Sequence, residues 1–84
     1  MTNGENQIKD LIKYIVQTLV DVPEQVEVTE IKGSHVSIFE VRVAKADMGK
    51  VIGKQGRNAD AIRTILTTAS ITAKKGRAVL EIVE

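Results

Sequence analysis

The chain has 84 residues, 43% of them hydrophobic and none of them cysteine, which suits one small domain with a modest core and excludes disulfides and thiolate metal sites. No apolar run approaches the ~18 residues that a membrane span needs, and no signal-peptide pattern is present, so a cytoplasmic protein is expected. The net charge is only +1, yet residues 45–77 carry eight basic against two acidic residues, a local net of +6 against −5 for the remainder, so one side of the domain should attract polyanions.

Residues 1–4 read as a frayed end. Ile8, Leu11, Ile12, Ile15, Val16 and Leu19 recur at helical spacing and predict an amphipathic helix over residues 5–20, ended by Asp21-Val22-Pro23 because the residue before proline leaves the α region. Tyr14 lies on its flank as a boundary packing residue. Residues 25–31 and 36–43 alternate in hydrophobicity on either side of Lys32-Gly33-Ser34-His35 and predict an antiparallel hairpin. Period two then places Val26, Val28, Phe39, Val41 and Val43 in the core. His35, the single histidine, sits exposed in the loop and cannot form a metal site alone.

A short helix is expected over residues 45–52, its free N–H groups capped by the Asp47 carboxylate. A further helix starts at about Arg57 with the apolar stripe Ala59, Ile62, Leu66, Ala69 and Ala73. Its end is open, because Thr67-Thr68-Ala69-Ser70-Ile71-Thr72 has poor helix propensity. It stops near Ser70 or continues to Lys75, where Gly76 would punctuate it. Residues 77–83 form a last strand with Ala78, Leu80 and Ile82 toward the helices, leaving Ile31, Ile38, Val79 and Val83 on the uncovered face.

Between the last two helices lies Val51-Ile52-Gly53-Lys54-Gln55-Gly56-Arg57-Asn58, a Gly-x-x-Gly turn opening a helix. Two glycines permit a sharp turn and close approach of another backbone, and a helix start offers N–H groups and a favourable dipole to an anion. Lys54 and Arg57 add mobile positive charge, so the approaching backbone is read as a phosphodiester. Catalysis is not expected, since one loop histidine and no cysteine leave no nucleophile and base pair. Neither nucleotide fingerprint is met: Gly49-x-x-x-Gly53-Lys54-Gln55 lacks the Walker spacing and its Ser/Thr. With only Tyr14 and Phe39 as aromatics, bases must lie on aliphatic surface rather than stack on rings.

At Ile52, Gly53, Gly56 and Ile62 the sequence resembles the KH domain, whose glycine loop clamps about four backbone nucleotides; Ala59 is smaller than the usual aliphatic residue. Over nearly the whole chain it is similar to small bacterial single-KH proteins of the KhpA type, most clearly in Asp47-Met48-Gly49-Lys50-Val51-Ile52-Gly53-Lys54-Gln55-Gly56-Arg57 and Ala61-Ile62-Arg63-Thr64-Ile65. The resemblance implies an α+β fold, the type II KH domain over residues 1–84, in the order αββααβ. A mixed three-stranded sheet with helices packed on one face and a right-handed crossover follows from that order.

The resemblance also implies single-stranded RNA as partner, without a cofactor, a small-molecule substrate or a membrane. Gly53 and Gly56 would shape the clamp, and Lys54, Gln55 and Arg57 would meet phosphates. Met48, Lys50, Val51 and Ile52 would lie along one side of the groove, Val41 or Val43 near the other, with the His35 loop at its border; Val41, Val43 and Val51 also read as core. An RNA chaperone or post-transcriptional regulator is implied, paired with a larger Jag-type KH protein and linked to cell-wall homeostasis and cell shape. The alternative is a protein-interaction or ribosome-assembly adaptor on the same scaffold. Ile65, beside Ala61, Thr68 and Thr72 at the stripe's edge, either completes the core or forms a two-fold dimer contact, for which the uncovered sheet face is the other candidate.

Overall fold

In the computed structural model, residues 4–74 and 76–84 are described. The chain runs α1 (Gly4–Leu19), β1 (Glu27–Lys32), β2 (Val36–Arg42), α2 (Met48–Ile52), α3 (Arg57–Thr72) and β3 (Arg77–Val83), the expected αββααβ order. Of the expected frayed end, Gly4 belongs to α1, and the other three residues lie outside the described part.

The sheet has the order β1-β2-β3. β1 and β2 pair antiparallel with Val28 opposite Val41, and β2 and β3 pair parallel with Phe39 beside Leu80, so the sheet is mixed. Period two then divides the residues between two faces. Phe39, Val41, Val43 and Leu80 turn toward the helices and are buried together with Val26, with Ile8, Ile12 and Val16 of α1, Val51 of α2, and Ile62 and Leu66 of α3. On the other face Ile31, Ile38 and Val79 form one row across all three strands.

Several local expectations are corrected. β1 begins two residues later than expected, because Pro23–Gln25 forms a 3-10 turn with the Val26 N–H donating to the Pro23 carbonyl; proline's fixed φ suits the first position of such a turn. Tyr14 is 68% exposed and does not pack at a boundary. α3 ends at Thr72, between the two expected limits, with Ala73 as its last cap. Lys74, at φ +58, takes the left-handed position expected of Gly76, and its N–H donates to the Ile71 carbonyl. The helix accommodates its threonines because Thr64, Thr68 and Thr72 each donate a hydroxyl proton to the carbonyl four residues back, which satisfies the group locally. Ala73 is exposed, whereas Ser70 is buried, so the stripe turns toward Ser70 in its last turn.

Asp47 departs furthest from expectation. It is 1% exposed and does not cap its own helix. Its carboxylate instead accepts the N–H groups of Asp21, at 3.2 Å, and Val22, at 3.0 Å. The chain leaving α1 exposes two N–H groups that would be costly to bury unpaired, and Asp47 supplies both acceptors. One buried side chain thus ties the end of α1 to the start of α2.

Candidate nucleic-acid interface

α2 is one and a half turns long, and it ends where the Gly53 N–H donates to the Gly49 carbonyl at 2.8 Å. The chain then passes through Gly53 at φ +79, ψ 171, Gln55 at φ +59, ψ 25, and Gly56 at φ +75, ψ 12. A Gly56 N–H bond to the Gly53 carbonyl closes this turn at 3.1 Å. The Arg57 N–H donates to the Lys54 carbonyl, and no side chain caps the start of α3. Next to that positive helix end stand the exposed side chains of Lys54, Gln55 and Arg57, with Gln55 Oε1 accepting from the Arg57 guanidinium at 3.2 Å.

The two glycines serve different ends. A Cβ on Gly53 would sit 2.7 Å from Asn58 Cγ and 2.9 Å from the Asn58 backbone nitrogen, while one on Gly56 would meet nothing within 4 Å. The backbone of Gly53 also occupies a region that is essentially glycine-only. Gly53→Ala is therefore expected to lower stability by about 2 kcal/mol, adding strain to overlap, and Gly56→Ala by about 1 kcal/mol, from the left-handed φ alone. Chemical denaturation of both variants checks the order, and equal losses would contradict it.

Asn58 is the residue that sequence reasoning left without a role. Its Nδ2 donates to the Lys50 carbonyl at 2.8 Å, crossing the turn to tie the first turn of α3 to the end of α2. The signal was an amide side chain one position into a helix, within reach of the open carbonyls that end the preceding one.

Of the candidate site residues, Ile52, Gly53, Lys54, Gln55, Gly56 and Arg57 come together at this turn. Ile52 is 39% exposed, and Met48 is half-buried against the core. Lys50 turns another way: its ammonium lies 2.9 Å from the Asp21 carboxylate and 3.9 Å from Asp47. The Asp21 hydrogen bond and charge hold its pKa above the ordinary lysine value. Val41 and Val43 do not form the far side of a groove, since they are 0% and 4% exposed and β2 is the central strand. The open edge beside α3 is β3, and the groove there is lined by Arg63, Thr67 and Ile71 of α3 and by residues 76–80.

A Gly-x-x-Gly turn between two helices, carried by an αββααβ chain with a mixed three-stranded sheet, defines a type II KH domain. The fold likeness extends to crystal structures of Era. One, a variant from Aquifex aeolicus bound to GDP.AlF4-, superposes with a TM-score of 0.72 at 14% identity over 92% of this chain and 30% of that one. Another, in complex with MgGDPNP and a segment of 16S ribosomal RNA, has a TM-score of 0.63 at 16% identity over 90% of this chain and 29% of that one.

The chain belongs to the KhpA/KhpB family of KH domains, whose family model, described as "KhpA/KhpB, KH domain", matches residues 9–82. Curated relatives named "RNA-binding protein KhpA" include one from Caldanaerobacter subterraneus subsp. tengcongensis, 53% identical over 88% of this chain and 97% of its own length. Another, from Clostridium acetobutylicum, is 49% identical over 90% of this chain and 100% of its own length. A third, from Aquifex aeolicus, is 49% identical over 92% and 96%.

Proposed function

We propose that the chain binds single-stranded RNA, with the glycine turn gripping about four nucleotides of backbone and no extensive reading of sequence. The carrying observation is the uncapped start of α3 beside the exposed Lys54 and Arg57. The names of the curated relatives support the reading. In this proposal Gly53 and Gly56 shape the clamp, Lys54, Gln55 and Arg57 meet phosphates, and Ile52 and Met48 offer aliphatic surface to bases. Lys50 adds positive charge from its Asp21 pair.

Titration with a mixed pool of short RNAs at several salt concentrations tests the reading. Three or four neutralised phosphates predict a log–log slope of roughly −2 to −3 for a single strand. Absence of binding, or a slope near zero, would favour a protein-interaction or ribosome-assembly adaptor, because a protein partner need not displace condensed cations.

The family supports a finer form of the proposal: one KH domain over residues 1–84, acting in the cytoplasm as an RNA chaperone or post-transcriptional regulator. It would use no cofactor or small-molecule substrate, and would partner a Jag-type KH protein in cell-wall homeostasis and the maintenance of cell shape. Among the described residues no helix is long and apolar enough to cross a membrane.

Weak binding by one groove gains avidity when two are joined, and a dimer through α3 is the proposed means. Ile65 is 38% exposed, with Ala61 and Thr68 exposed on the same flank. Ile65→Asp is expected to turn a homodimer, or a heterodimer with the Jag-type partner, into a folded monomer. Sedimentation of the wild type as a monomer at high micromolar concentration would dispose of the homodimer, and an unfolded variant would assign Ile65 to the core.

A further inference from the structure

Arg63, Thr67 and Ile71 follow one another at four-residue spacing and so form one row along α3, facing the start of β3 across the groove. This row runs from the middle of α3 toward its C-terminal end, away from the glycine turn. Ile71 is 70% exposed, so burial in the core does not account for a large aliphatic side chain there. The connection into β3 is cationic as well: Lys74 and Arg77 are both exposed. The β1–β2 loop closes that end of the groove, since a Cβ on Gly76 would lie 3.3 Å from the His35 carbonyl and Arg77 pairs with Val36. No acidic side chain lines the groove, and the carboxylate engaged with it is Asp60, 2.8 Å from Arg63.

We propose that Lys74 and Arg77, with Arg63 partway along, bind phosphates of the same RNA strand that the glycine turn grips, so that the strand runs the length of α3 and lays bases over Ile71. This rests on the RNA reading above and adds a second anchor to it. The 16 residues of α3 span ~24 Å, whereas four stacked nucleotides advance only about 14 Å. A tetranucleotide held at the turn falls short of the far cluster. A strand about twice as long reaches it.

The test compares oligouridylates of about four, eight and twelve nucleotides by fluorescence anisotropy, with the wild type and with Lys74→Glu and Arg77→Glu, made singly and together. Both positions are exposed, and a thermal melt of each variant identifies those that fold. The double variant should bind the tetramer as the wild type does and lose about tenfold on the longer strands, the scale of two phosphate contacts removed. Its salt slope on the longest strand should fall by about 1.4. The extra registers of a longer strand apply equally to wild type and variant and cancel in the ratio. Equal losses at every length, or no loss on the longer strands, would overturn the second anchor while leaving the clamp intact. Failure of the wild type to bind any length would overturn both readings.

Discussion

Replacing Lys54 and Gln55 together by aspartate is expected to abolish RNA binding, with an affinity loss of at least about a hundredfold, and to leave the domain folded. Both side chains are exposed in the turn, so the new carboxylates replace no core contact. What changes is the field met by a phosphate: one cation is removed and two anions are placed beside the uncapped start of α3. A charge-assisted hydrogen bond contributes about 1.5–3 kcal/mol, and tenfold in affinity corresponds to about 1.4 kcal/mol. One lost contact plus the added repulsion therefore accounts for two orders of magnitude. Circular dichroism should be unchanged. A folded double variant with wild-type RNA affinity would remove the clamp from the mechanism.

The largest single-site effect on stability is expected at Asp47, far from the core stripes. Asp47→Ala strands the N–H groups of Asp21 and Val22 in a part-buried loop, and the loss should be about 3 kcal/mol, since each unsatisfied buried donor costs about 1–3 kcal/mol. For a domain of this size that lowers the melting temperature by more than about 10 °C. Asp21→Ala removes only the exposed ion pair with Lys50 and should cost less than about 1 kcal/mol. Thermal melts of the two variants separate acceptor function from charge pairing: similar losses would mean that Asp47 acts through the ion pair. Because Asp47 stands immediately before α2, its loss should also loosen the seat of the glycine turn.

Element types and the glycine turn were legible in the chain because they rest on local rules. Period two in residues 36–43 and helical spacing from Ile8 to Val16 identify faces without reference to the rest of the molecule. The Gly-x-x-Gly turn is equally local, since a backbone at φ +79 with ψ 171 admits little but glycine. The charge block over residues 45–77 indicated the side on which anions would be met. Less was legible wherever a residue's partner is remote. Asp47 stood in a plausible cap position, but its acceptors went to N–H groups 26 and 25 residues upstream. Lys50 read as one more cation of the turn until its distance to Asp21 was known.

The order of elements, the faces of strands and helices, and the position and chemistry of the glycine turn were thus determined by sequence alone, because each depends on the conformational preferences of a few consecutive residues. Tertiary structure decided which strand is the open edge, and so why Val41 and Val43 are core while residues 76–80 line the groove. It also decided that Asn58 ties α3 to α2 and that Asp47 ties α2 to the end of α1. The reason is that an unpaired buried N–H or carbonyl takes whichever partner the packed chain brings within about 3 Å, and sequence distance plays no part in that choice.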